Sequence, residues 1–214
     1  MADGEKPRTW ESDSFVGGAL CLDFANTVGG THKERAPDYL RSYADLLAWG
    51  RAAGAVEAVD AAFLEWRAER EPERAAQALA RALELREAIY RLLSAKAAGV
   101  PADDADLASL NRAVLRGLEH AAIEPEGAGF AWRWAGDADD LERPLWPVLR
   151  SAMALMTGPE LALLRECGRC SWLFLDRSKN KRRRWCKMEA CGNRAKSQRH
   201  YRRATGRGAS SRTS

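Results

Sequence analysis

Four cysteines packed into residues 167–191 constrain this chain more than any other feature. Cys167-Gly168-Arg169-Cys170 is a C-x2-C pair and Cys186 to Cys191 a C-x4-C pair, with fifteen residues between them. A C-x2-C turn lets two thiolates face one ion, and a glycine inside it permits a tight backbone. Two such pairs supply the four ligands that a tetrahedral metal takes at ~2.3 Å. Thiolate-rich sites favour zinc or iron–sulfur over hard cations. The polar, arginine-rich surroundings favour zinc. The other use of C-x2-C is thiol redox chemistry, which expects a βαβ setting that this chain does not offer. The fifth cysteine, Cys21, stands apart.

The net charge of +4 conceals a division. Residues 165–214 carry 16 Lys/Arg against 3 Asp/Glu, whereas residues 1–164 carry 18 against 27. A cationic surplus this dense is an electrostatic footprint for a polyanion, or else a solvated basic tail. The opening stretch "MADGEKPRTW" is polar with no apolar run behind it, unlike a signal peptide. No segment approaches the ~20 apolar residues of a membrane span. The expected location is cytoplasmic, where structural disulfides are uncommon.

Residues 1–164 read as mostly helical. "SFVGGALCLDFANTVGG", 14–30, is an apolar run between glycines, suggesting a buried strand or a strand-to-helix transition. Ser42 and Asp45 have capping-box spacing ahead of Leu46 and Leu47, and Gly54 stops that helix. Val59, Phe63 and Trp66 recur at helical spacing. Residues 73–99 form the clearest helix, with Leu85, Ile89, Leu92 and Leu93 in one stripe. Leu107, Leu110, Val114 and Leu118 repeat the pattern. Then Phe130, Trp132 and Trp134 alternate after a Pro-Glu-Gly-Ala-Gly cluster, a β-hairpin signal. The helical period returns through Leu145, Val148, Leu149, Ala152, Met153 and Met156.

Between the cysteine pairs, "SWLFLDRS" alternates, "RRRW" at 182–185 is its expected return strand, and the residues after Cys191 favour a helix. Knuckle, hairpin and ligand-bearing helix together describe a treble clef. Asn193 and Arg194, at the helix start, can make bidentate contacts to adenine and guanine edges. Arg182, Arg183, Arg184, Lys187, Lys196, Arg199, Arg202 and Arg203 would grip phosphates. Alternatively Arg194 pairs with Asp176 inside the finger.

"CGNR" at 191–194, with "RRWC" at 183–186 and C-x2-C-x-W-L-F-x-D-x-S-x-N before it, closely resembles the CGNR zinc finger family. "LCLDFANTV", 20–28, resembles the start of the ABATE domain that accompanies that finger. The resemblance covers most of the chain. It implies a stress-induced transcription regulator, or an RNA-binding protein, with an α/β ABATE domain and a treble-clef-like finger. No departure occurs at the four cysteines.

Nothing in residues 1–164 assembles into a catalytic motif: His32 and His120 are isolated, and there is no glycine-rich phosphate loop. Asp23, Asn26 and Thr27 interrupt an apolar run. They either orient a small-molecule effector in a pocket or cap the following turn, with Asp23 paired to an arginine. The expected fold is α+β. It comprises a predominantly helical domain with a small β-hairpin at 1–164, a treble-clef-like zinc finger at 165–205 and a disordered tail at 206–214. The expected function is a DNA-binding, non-enzymatic regulator held by zinc at Cys167, Cys170, Cys186 and Cys191. RNA binding by the same finger is the alternative; an enzymatic N-terminal domain ranks behind both, and an oligomer is compatible with either.

Overall fold

The computed structural model describes residues 9–11, 14–29, 38–135, 140–197 and 201. Its centre is a short helix. α1 (Leu20–Ala25) has Cys21, Leu22, Phe24 and Ala25 fully buried. A run that is apolar all round suits a buried helix as well as a buried strand, and periodicity cannot separate the two. Here the helix wins, and α1 packs between the long α4 (Pro72–Ala98) and α6 (Trp146–Thr157).

The surrounding helices follow their local signals. α2 (Tyr43–Ala52) begins with the reciprocal Ser42–Asp45 capping box: the Asp45 N–H donates to Ser42 Oγ at 3.1 Å and the Ser42 N–H to Asp45 Oδ2 at 3.0 Å. α3 (Ala58–Arg70) stops where Pro72 opens α4, a position at which a missing N–H costs nothing. α4 ends at Gly99, whose φ of 71° is the left-handed cap that glycine adopts freely. α5 (Asp104–Leu118) is capped by Asp103, which accepts from the Ala105 and Asp106 N–H groups. β1 (Ala121–Glu126) and β2 (Gly129–Trp134) form the expected antiparallel hairpin, with Ile123 opposite Trp132. No helix among the described residues is long and apolar enough to cross a membrane.

Two stripes differ from their sequence patterns. On α3, Phe63 and Trp66 are 40% and 46% exposed, and the buried face is Ala61 and Leu64. On α5 the buried line is Leu110, Ala113 and Gly117, leaving Leu107 and Leu118 at the margin. Gly117 allows a close approach there: a Cβ would meet Leu149 Cδ1 at 2.7 Å, so that Leu149 would have to shift. Small residues let a helix approach its neighbour, and hydropathy patterns undervalue them.

One buried charge crosses the core. Arg86 on α4 is only 4% exposed and grips Asp38 with two hydrogen bonds of 2.7 Å, touching Glu87 and Thr27 as well. Desolvation works against its charge, and the Asp38 and Glu87 carboxylates together outweigh it. Asp38→Asn leaves the guanidinium with Glu87 as its remaining carboxylate among the described residues. The expected loss is about 3 kcal/mol in urea denaturation, and a loss below about 1 kcal/mol would show Glu87 to be a sufficient counter-ion.

The second β-pair belongs to the cysteine region. β3 (Leu164–Glu166) and β4 (Leu173–Leu175) are antiparallel, with Arg165 opposite Phe174. Leu164, Leu173 and Leu175 lie in the same core as the helices, and Ser94 on α4 donates to Glu166 Oε2 at 2.5 Å. The strands that carry the first cysteine pair are thus rooted in the helical domain.

Candidate metal centre and its basic surround

The first cysteine pair sits in the turn that joins β3 to β4. The Cys167 N–H donates to the Trp172 carbonyl at 2.8 Å, and the Ser171 N–H to the Cys167 carbonyl at 3.0 Å. Ser171 takes the left-handed conformation of this turn, with φ of 58°. Gly168 serves by close approach: a Cβ there would stand 3.3 Å from the Trp185 ring. Gly192 presses on the same indole, where its Cβ would also lie 3.3 Å away. Trp185 is therefore held between the two cysteine segments.

The second pair brackets a turn. The N–H groups of Cys191 and Gly192 both donate to the Lys187 carbonyl, closing a wide helical turn over Met188–Gly192, and residues 193–197 continue as α-helix. Cys191 thus stands just ahead of that helix, as its position in the motif suggests.

The expected pairing of 171–178 with 182–185 does not form. β4 pairs with β3, and residues 182–185 are not a strand. The reason is that β4 has no free edge. Its other side is occupied by the Gly17 carbonyl, which accepts from the Leu175 N–H at 2.9 Å, and by the Asn26 side chain. The 176–185 connection is instead folded around Asp176. Its Oδ1 accepts from the Ser178 N–H and hydroxyl, and its Oδ2 from the Arg183 N–H at 2.8 Å. The Ser178 hydroxyl bond is the main cause holding the Asp176 carboxyl below the usual carboxylate range.

All four cysteine Sγ atoms lie within 4.8 Å of one another, with Cys170–Cys186 at 3.5 Å and Cys186–Cys191 at 3.7 Å. Four sulfurs at ~2.3 Å from a common centre are about 3.8 Å apart in a tetrahedron. A disulfide would need ~2.05 Å. The spacing therefore fits a shared metal ion. Sulfurs this close cannot all ionise unaided. The Cys167 thiol is drawn well below its ordinary value because Cys170 and Cys186 donate to its sulfur, and Cys170 is pushed up to about 12. A bound divalent cation reverses that logic by deprotonating its thiol ligands.

The basic residues divide into two groups. Arg183 is exposed but tied to the finger: its guanidinium lies 4.8 Å above the Phe174 ring, and it donates to the Trp185 carbonyl at 2.8 Å and to the Cys186 carbonyl. Arg182, Arg184, Asn193, Arg194 and Lys196 are exposed, with Arg184 stacked on Trp185; Lys187 is half-buried. No ion pair joins Arg194 to Asp176 among the described residues. Arg199, Arg202 and Arg203 lie outside the described residues.

Asp23, Asn26 and Thr27 are placed close in sequence but serve different partners. Asn26 and Thr27 are buried. Thr27 Oγ1 donates to the Phe24 carbonyl at 2.8 Å, closing the end of the preceding α1 rather than capping the following turn. Asn26 donates from Nδ2 to the Leu173 carbonyl and accepts at Oδ1 from the Leu173 N–H, each at 2.9 Å. This contact across 147 residues was missed by sequence reasoning, although a lone amide in an apolar run is the kind of group that must find backbone partners. Asp23 Oδ1 accepts from the Gly17 N–H at 2.7 Å; among the described residues its hydrogen-bond partners are backbone, and no arginine pairs with it.

Burial lifts the Asp23 carboxyl to about 6, against the opposing pull of the Gly17 and Val16 N–H groups. The folded state then binds this proton more tightly than the unfolded chain. Its contribution to stability is complete below about pH 4 and is lost as pH rises through about 6. Asp23→Asn is expected to raise stability at neutral pH by on the order of 2–3 kcal/mol and to flatten the profile between about pH 4 and 6. Urea midpoints measured across that range would contradict this if the two proteins ran parallel.

The model of the ABATE family, described as "Putative stress-induced transcription regulator", matches residues 18–159. The chain belongs to the ABATE family. A second model, the CGNR zinc finger, matches residues 164–204 and thus contains all four cysteines. No curated protein matches the chain at a significant level. The ABATE segment corresponds to α1 through α6, and the finger match begins at the first residue of β3. Both families are of regulator and zinc-finger type rather than enzymes.

Proposed function

We propose that this ABATE protein is a transcription regulator that binds duplex DNA through a zinc-loaded CGNR finger. The observation that carries this reading is the exposure of Arg182, Arg184, Asn193, Arg194 and Lys196 on the chain that directly brackets Cys186 and Cys191. An ion shared by the four cysteines holds that chain in one shape, so the metal would organise a cationic surface rather than perform chemistry. Zinc suits the role, since it has no redox activity and closes its shell with four thiolates. Arg182, Arg184 and Lys196 are assigned to phosphates, and Asn193 and Arg194 to base edges. Arg183, although exposed, also braces the finger by covering Phe174 and holding two carbonyls. Asp23 and Thr27 support the backbone of the N-terminal segment, and Asn26 that of β4.

The test is competition for the zinc-loaded full chain between duplex DNA and structured RNA at one salt concentration, followed by selection from random pools of both. Preferential recovery of duplex DNA with a shared sequence supports the reading. Preferential recovery of RNA would replace it with an RNA-binding function for the same surface.

A further inference from the structure

We infer that Asn26 is a positioning residue for the metal centre: its amide stands in for a neighbouring strand along β4, making the N-terminal domain a determinant of metal affinity. The inference rests on reading the four cysteines as a metal site. β3 and β4 are three residues each, too short to be stable as an isolated pair. The outer edge of β4 would otherwise present the N–H and C=O of Leu173 and the N–H of Leu175 to the interior. Leu173 and Leu175 are buried, so unpaired backbone groups there are costly.

A primary amide offers one acceptor oxygen and a donor nitrogen, the same pair of functions as a peptide group. Asn26 spends both on Leu173, and Gly17 supplies the carbonyl for Leu175. Two further contacts carry the frame to the sulfurs. The Trp172 indole Nε1 donates to the Val28 carbonyl at 2.8 Å, and the Trp172 carbonyl accepts the Cys167 N–H. Val16 packs against the small cluster of Cys167, Phe174 and Cys186. Residues 16–28 therefore brace the knuckle along the outer edge of β4, and they are themselves fixed by α1, buried against α4 and α6. Aspartate at position 26 can accept from the Leu173 N–H but cannot donate to its carbonyl, and alanine can do neither.

The experiment measures Zn2+ affinity of the full chain by competition with a chromophoric chelator. Asn26→Ala and Asn26→Asp are expected to bind Zn2+ about 10–100-fold more weakly, the range for partners that orient metal ligands without touching the ion. Tyr43→Phe is the control. It removes a buried hydrogen bond to the Leu141 carbonyl within the helical domain and should leave the affinity unchanged. A second readout needs no variant: the helical melt of the wild type should fall when the chelator takes the ion. Affinity within about twofold of wild type for Asn26→Ala with normal helical content overturns the inference. So does a wild-type helical melt indifferent to chelation, which decides the matter alone if the variants do not fold. A wild-type chain that holds no metal overturns the metal reading and this one together. A chain that holds metal regardless of position 26 overturns only this one.

Discussion

Stripping the ion from the full chain, or replacing Cys186 by serine, is expected to unfold residues 176–197 while residues 164–175 keep part of their protection. The reason is an uneven distribution of apolar anchors. β3 and β4 place Leu164, Leu173 and Leu175 in the helical core. Beyond Asp176, burial reduces to Cys186 and Gly192 among the described residues, with Trp185 half-covered. Such a segment cannot offset its conformational entropy by burial. Metal binding must supply it, with an apparent contribution on the order of 10–16 kcal/mol for structural zinc at neutral pH. Amide exchange with and without chelator reads the boundary directly. Identical exchange in both states, with less than one tightly held ion per chain, would show the cysteine cluster to be no metal site.

The second large effect concerns nucleic acid. Replacing Arg182, Arg184 and Lys196 together by alanine is expected to weaken all sequences alike. The logarithmic salt slope should become shallower by about 0.9 for each contact, or about 2.7 in all. Arg194→Ala should behave differently, costing about 1–3 kcal/mol on the selected sequence and little on random duplex. Arg183→Ala should lower stability, because its guanidinium covers Phe174 and ties down the Trp185 and Cys186 carbonyls. Ion content has to match wild type in each comparison, since a finger that has lost its metal reports only unfolding. If Arg194→Ala weakens selected and random duplex equally with the ion retained, Arg194 is a phosphate contact and the base-reading assignment is lost.

Much of this architecture was legible because it is encoded over short distances. The Ser42–Asp45 box, the Gly99 cap and the hairpin centred on Gly127 are decided within a few residues, by side chains that satisfy or bend the adjacent backbone. The cysteine spacing worked in the same way. C-x2-C and C-x4-C each describe a local turn, and the Cys191 turn does open a helix, as the motif suggests. The resemblance carried by "CGNR" and "LCLDFANTV" agrees with the two family matches.

What needed the tertiary structure was everything settled by competition between distant partners. Alternation in "SWLFLDRS" announces a strand but does not name its neighbour. β3 took one edge of β4, and Gly17 and Asn26 took the other, so "RRRW" was left to coil around Asp176. α1 buries Cys21, Leu22, Phe24 and Ala25 against α4 and α6, packing that hydropathy cannot tell from that of a buried strand. That Arg183, unlike Arg182, lies over the Phe174 ring is likewise a matter of tertiary position. Asn26 is the clearest case. A sequence shows that a buried amide must find partners, because an unpaired one is costly; only the folded chain shows that those partners lie 147 residues away, beside the first cysteine pair.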